Sequence, residues 1–221
     1  MTALYRYVAA GVLHRQLYVP PVLLFAVVVA VGSRGDGGPL LPLYALWVGA
    51  ILPISVWLTV AVLATEDVAQ ERITRVNTRR LWFPLVAAVL VTLTFDVVMA
   101  AVAVFFPLLV GVRPAAGGDL LVGFLAQLAA AGTGVIVGLF CGRQVIPRPG
   151  YALLLAAVAV LALLLVRWIP PVNPLIRLLA GGEPASTMVG PVLLADALVA
   201  VVLVAAVPVV HRAQRVASFG P

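Results

Sequence analysis

The sequence predicts an all-α integral membrane protein whose 221 residues form a single transmembrane domain of six helices. Composition is the first reason: 64% of the residues are hydrophobic and 10% are charged, whereas about a quarter are charged in globular proteins. The mean hydropathy is +1.18. The second reason is that the apolar stretches are long enough to cross about 30 Å of hydrocarbon at about 1.5 Å per residue. Little remains outside them, so no soluble domain is expected.

The predicted spans are approximately residues 16–32, 42–64, 81–110, 120–141, 150–169 and 190–210. Residues 1–18 carry Arg6, His14 and Arg15 and lack a small-residue cleavage site. They are therefore predicted to form a weakly amphipathic helix at the membrane interface, before the prolines at 20 and 21 open the first span.

The connection from 170 to 189 contains a short apolar segment, Leu175 to Leu179, with prolines and glycines on both sides. This pattern predicts a short re-entrant or interfacial element on the outer side before the sixth span. In the fourth span, small residues recur on one face and would let another helix approach closely. They are Ala130, Gly134, Gly138 and Gly142.

The 14 basic residues are all arginine, and their distribution predicts the orientation. With the N-terminus inside, ten fall in cytoplasmic segments and four fall outside, at Arg34, Arg113, Arg167 and Arg177. The positive-inside rule therefore favours a plasma-membrane protein with both termini in the cytoplasm. The net charge of +6 is expected to serve contact with anionic lipid, not binding of nucleic acid.

Two aspartates lie within predicted spans, Asp96 near the middle of the third and Asp196 near the outer start of the sixth. An ionisable group at the centre of a bilayer costs a few kcal/mol, so it must face protein or water. Asp96 is either a substrate, ion or proton site or a hydrogen-bonded packing residue, with Thr92 four residues earlier on the same face. For Asp196 we favour a structural role over a functional one. The Gly-x-Gly-Asp signature of intramembrane aspartyl proteases is absent around both.

Other enzyme motifs are missing as well. There is no His-Glu-x-x-His or Gly-x-Ser-x-Gly motif, and a chain without lysine cannot carry a Walker lysine. Neither His14 nor His211 has another metal-ligating residue nearby in sequence. Cys141 is interpreted as a small apolar packing residue. We expect no catalytic residues, metal site or cofactor in this chain.

A polar segment of 15 residues, 66–80, separates the second and third spans and contains neither glycine nor proline. It is predicted to be a helix along or projecting from the cytoplasmic face. An ordinary solvated loop anchored to lipid headgroups is the alternative. Its charged residues are Glu66, Asp67, Glu71, Arg72, Arg75, Arg79 and Arg80.

This arrangement resembles the membrane subunits of ABC transporters of the ABC-2 permease type. The similarity covers an interfacial N-terminal helix, six spans, a charged cytoplasmic helix after the second span and a broken outer element before the sixth. In that family the segment after the second span often carries a Glu-Arg pair and couples to the ATPase, and Glu71-Arg72 matches it loosely. The Gly-Thr that commonly follows is replaced here by Ile73-Thr74.

The resemblance implies a permease subunit that exports a hydrophobic or amphipathic substrate. It would bind a separate ATP-binding subunit, which holds ATP and Mg, through residues 66–80, and pair with an identical or similar six-span subunit. Ser55, Thr59, Thr92 and Asp96 would then lie along or near the substrate pathway at the seam. Two alternatives remain: an ion- or proton-coupled carrier or channel that uses Asp96 and Asp196 without ATP, and a non-transporting scaffold.

Overall fold

The computed structural model describes residues 2–34, 38–65, 82–110, 116–142, 145–146 and 148–218, with the side chains of 149 and 213–218 excepted. Within these ranges the chain forms α-helices and no strands. The helices are α1 (Thr2–Arg15), α2 (Val19–Gly32), α3 (Leu40–Leu63), α4 (Phe83–Leu109), α5 (Gly117–Cys141), α6 (Pro149–Leu165), α7 (Val172–Ala180) and α8 (Ala185–Ser218). The all-α prediction is confirmed for this part of the chain.

Four helices are long and apolar enough to cross a membrane: α3, α4, α5 and the Ala185–Arg212 part of α8. They coincide with the second, third, fourth and sixth predicted spans. The 14 residues of α2 extend about 21 Å and the 17 of α6 about 26 Å, both short of the roughly 30 Å hydrocarbon core. The protein is therefore a multi-pass membrane protein with four candidate spans among the described residues, or five if α1 and α2 form one broken span. The count of six stays a prediction.

The first two helices meet at a bend of 76°. The Tyr18 ring at this corner lies 5.1 Å from the Phe95 ring, and the Tyr5 hydroxyl lies 3.0 Å from Thr94 Oγ1. Since Phe95 and Thr94 lie in the middle of α4, the corner is level with the centre of that helix. The interfacial location of residues 1–18 stays a prediction.

Gln16 forms this corner with a φ of 54°, in the left-handed region. Its N–H donates to Val12 O at 3.1 Å, as in the glycine caps that end many helices. Because a β-carbon is strained there, we expect Gln16→Gly to raise the free energy of unfolding by up to about 1 kcal/mol, after the entropy gained by the unfolded chain is subtracted. Unfolding midpoints in one detergent would measure this, with Gln16→Ala as the control that keeps the β-carbon. Equal midpoints for the glycine variant and wild type would contradict it.

The centre of the bundle is formed by α3, α4 and α5, and the most extensive packing joins α3 to α5. Three glycines of α5 and Gly142, which directly follows it, face α3. Each lies 79 residues beyond the residue it meets, so the two helices run parallel in a constant register. A β-carbon on Gly138 would lie 2.5 Å from Thr59 Cβ. The predicted small-residue face is therefore a helix contact within this chain. The pairs are Gly123 with Tyr44, Gly134 with Ser55, Gly138 with Thr59 and Gly142 with Leu63.

The remaining helices cover this centre. α2 packs on α3 and α4, α1 on α4, and α6 on α5. α7 packs on α3, where Ile176 would lie 3.7 Å from a β-carbon on Gly49, nine residues into α3. α8 packs on α5 through Val199, which faces Gly132, and most of its surface faces away from the bundle.

Candidate functional site

Buried polar contacts among Ser55, Asp96 and Ala131, here called the polar tie, join the three central helices α3, α4 and α5. Ser55 on α3 places its Oγ 2.8 Å from Asp96 Oδ2 on α4 and 2.9 Å from the carbonyl oxygen of Ala131 on α5. Ser55 and Asp96 are both 0% exposed. The aspartate that the sequence singles out is therefore at the centre of α4, enclosed by its own subunit.

The two contacts of Ser55 constrain the proton on Asp96. A hydroxyl carries one hydrogen, so Ser55 can donate to either the carboxyl oxygen or the Ala131 carbonyl at one time. Both contacts can be hydrogen bonds at the same time only when Asp96 is protonated. Asp96 then donates to Ser55, and Ser55 donates to the Ala131 carbonyl. The Asp96 carboxyl contacts Ser55 through Oδ2, and its Oδ1 has no hydrogen-bond partner. A neutral carboxyl is thus the form that this geometry accommodates, and it avoids an unpaired charge in the apolar interior.

The other residues predicted to line a pathway bond within their own helices. Thr59 Oγ1 donates to Ser55 O at 2.7 Å, and Thr92 Oγ1 donates to Ala88 O at 3.1 Å. Both threonines are buried, as are Ser55 and Asp96. The four predicted pathway residues thus lie in the central bundle, and their contact with a substrate stays a prediction.

Sequence reasoning missed several members of this polar interior. The Tyr44 hydroxyl donates to Val104 O at 3.2 Å and gives a second tie between α3 and α4. Gln127 on α5 is 0% exposed, and neither its Oε1 nor its Nε2 has a hydrogen-bond partner. Asp96 Oδ1 also lacks one. An amide in the middle of an apolar span was the available signal for Gln127; Tyr44 offered no comparable signal because tyrosine is common in spans.

Asp196 belongs to a different part of the molecule. It lies on α8, which packs on α5, and it is partly buried with its Oδ2 unpartnered. The side-chain hydrogen bond of Asp96 to another helix reaches Ser55 on α3. A direct relay between the two aspartates therefore has no hydrogen-bonded path among the described residues.

Asn173 links α7 to the end of α6, because its Nδ2 donates to Leu164 O. Arg177 Nε in turn donates to Asn173 Oδ1 at 3.0 Å. Arg167 stacks near Trp168, with its guanidinium carbon 5.9 Å from the ring centre. The first of these contacts joins α7 to α6, and α7 also packs on α3.

The charged segment predicted to dock an ATPase lies outside the described residues. This applies to Glu66, Asp67, Glu71, Arg72, Arg75, Arg79 and Arg80. Within the described ranges, no group of three His, Cys, Asp or Glu side chains could hold a metal ion. The described residues thus contain a buried polar tie and no cluster suited to a metal ion. No protein-family model, curated protein or solved structure matches this chain.

Proposed function

We propose that this chain is the membrane-spanning subunit of a transporter of the ABC-2 permease type, exporting a hydrophobic or amphipathic substrate. A separate ATP-binding subunit, holding ATP and Mg, docks on residues 66–80 and drives the cycle. A second six-span subunit, identical or similar, completes the pathway. The protein sits in the plasma membrane with both termini in the cytoplasm and a re-entrant α7 on the outer side.

The closed centre of the bundle is the observation that carries this proposal. A β-carbon on Gly134 would lie 2.7 Å from the backbone oxygen of Leu52, so α3 and α5 leave no room between them for a substrate. Ser55 on α3 and Asp96 on α4 are in contact and fully buried, so α4 closes the remaining side of this centre. A pathway therefore fits better along an outer face, closed by a second subunit, than through this chain alone.

The partner ATPase is what the resemblance of the charged segment 66–80 to the coupling helix of ABC-2 permeases implies. Rotation of α3 and α4, which flank residues 66–80, would switch the seam between inward and outward states. The close contact of α3 with α5 would carry such a movement to α8, which packs on the far side of α5. Such a movement would reach the exposed surface of α8 through the packed helices α3 and α5.

The test is purification from the native cell in mild detergent, followed by quantitative mass spectrometry. We expect a stoichiometric ATP-binding subunit, and we expect its recovery to fall at least about tenfold when Arg75, Arg79 and Arg80 are all changed to glutamate, since reversed charges repel their former partners. The matched control reverses three predicted outer arginines, Arg34, Arg113 and Arg167, and should keep the partner. A lone chain in several mild detergents, or full recovery with the triple variant, would contradict the proposal.

A secondary carrier is the second candidate, and the unpartnered Asp96 Oδ1 and Asp196 Oδ2 favour it. Such atoms inside a membrane are candidates for binding a proton or cation. In vesicles without any ATPase, a carrier would show flux driven by a pH gradient that is lost in Asp196→Asn. The permease proposal expects no such flux.

A further inference from the structure

A groove opens between the ends of α4 and α8 that lie at the same end of the bundle. Its volume is about 570 Å³, within the roughly 300–1,000 Å³ of small-molecule sites. The two helices touch only briefly, so the groove lies between diverging surfaces. Among its lining residues are Trp82, Val86, Leu90, Val204, Val207 and His211.

The groove faces the surroundings of the bundle and is apolar along its length. Leu90 is 44% exposed and Val204 is 74% exposed, whereas Val207 forms part of the floor at 9%. From Trp82 to Leu93 the groove follows α4 for about 16 Å, roughly half the hydrocarbon thickness. It therefore extends from one interface towards the middle of the membrane.

The polar groups gather at one end of the groove. His211 lines that end, and Trp82, the residue just before α4, lines it from the other side. The exposed Arg212 does not line the groove itself, but it lies four residues after the lining Pro208 and therefore on the same face of α8, just beyond this end. Tryptophan and arginine are the residues that prefer the headgroup level, and arginine attracts phosphate. The end carrying Trp82 and His211 is thus suited to an anionic headgroup, and the rest of the groove to an alkyl chain.

From this juxtaposition we infer that the groove between α4 and α8 binds one anionic phospholipid, with its phosphate beside Arg212 and an acyl chain along Leu90 and Val204. Water is not a stable occupant of so apolar a groove, because it would lose its hydrogen bonds there. The arginine and tryptophan at the headgroup end favour an anionic lipid over an apolar helix of a second copy, which offers that charge no phosphate. The inference does not depend on whether the chain transports anything.

The first experiment uses the full chain in vesicles of phosphatidylglycerol and phosphatidylcholine that contain a photoactivatable acyl chain on either lipid. We expect labelling at Leu90, Val204 and their groove neighbours, and about one phosphatidylglycerol retained per chain after mild extraction, measured by native mass spectrometry. Leu90→Trp with Val204→Trp fills the groove and should lower retention several-fold. Val201→Trp is the matched control, because Val201 is similarly exposed at 69% on α8 but does not line the groove.

The second experiment separates the headgroup from the chain. Arg212→Gln should reduce the preference for phosphatidylglycerol over phosphatidylcholine about fivefold, as expected for one arginine near a membrane surface, while groove labelling by phosphatidylcholine persists. Three results would overturn the inference: equal lipid retention by the filled and control variants, an unchanged headgroup preference in Arg212→Gln, or a loss of dimer without a loss of lipid in the filled variant. The last would assign the groove to a second copy.

Discussion

Replacing Gly134 by alanine is expected to lower the free energy of unfolding by about 1–3 kcal/mol, the usual cost of overpacking a closed core. The added methyl group would lie 2.7 Å from the backbone oxygen of Leu52 and 2.8 Å from Ser55 Cβ. A backbone oxygen cannot rotate away, so α3 and α5 must separate. Separation would also lengthen the hydrogen bond from Ser55 to Ala131. Unfolding of the purified protein in a single detergent, followed by circular dichroism, would measure the change.

Gly11→Ala provides the matched control for this substitution. Gly11 also lies within a helix, and outside its own chain neighbours and helix backbone a β-carbon there would meet no atom within 4 Å. Alanine should therefore be neutral or slightly stabilising at this position, because glycine is a poor helix former. If Gly134→Ala unfolds at the same midpoint as Gly11→Ala, the contact between α3 and α5 is looser than the structure indicates.

The sequence predicted this glycine face but could not predict its partner. Small residues at a spacing of four show that some helix approaches closely. They do not show which helix, because every other span offers an apolar surface that could meet them. The constant register with α3 is a tertiary property, set by which residue of α3 fits above each glycine.

The first span shows a different limit. Apolar composition correctly predicted a helix ending at Gly32, and the prolines at 20 and 21 marked its start. The corner at Gln16 was not predictable, because glutamine has no preference for a left-handed backbone and the 76° bend depends on packing against α4. Composition also predicts that 66–80 is a charged segment, but composition cannot show what any of those residues contacts.

The Asp96 site combines both cases. Its position in the middle of a span was readable from the sequence, since charge is rare there. Its partner Ser55 lies 41 residues earlier on another helix, and neither helical periodicity nor spacing connects them. Thr92, which the sequence places four residues earlier on the same face, bonds to its own helix.

Substitutions at Ser55 and Asp96 have the second large expected effect, and they test whether this pair is structural. Ser55→Ala should lower the free energy of unfolding by about 1–3 kcal/mol, because the buried carboxyl would lose its hydrogen-bond partner. Asp96→Asn should change it by less than about 1 kcal/mol, because the amide can donate to Ser55 as the protonated carboxyl does. Unfolding midpoints under identical detergent conditions would compare the variants.

The double variant Ser55→Ala with Asp96→Leu is the decisive member of the set. Leucine has the same number of side-chain heavy atoms as aspartate, so it replaces the carboxyl with an apolar group of similar shape. Removing both partners should therefore recover stability relative to Ser55→Ala, with a coupling energy of about 0.5–3 kcal/mol. Additive losses would show that the two side chains do not interact. Normal stability of Asp96→Asn, combined with loss of a pH-driven flux in vesicles, would instead assign Asp96 to a carrier mechanism, because only the carboxyl can release and rebind a proton.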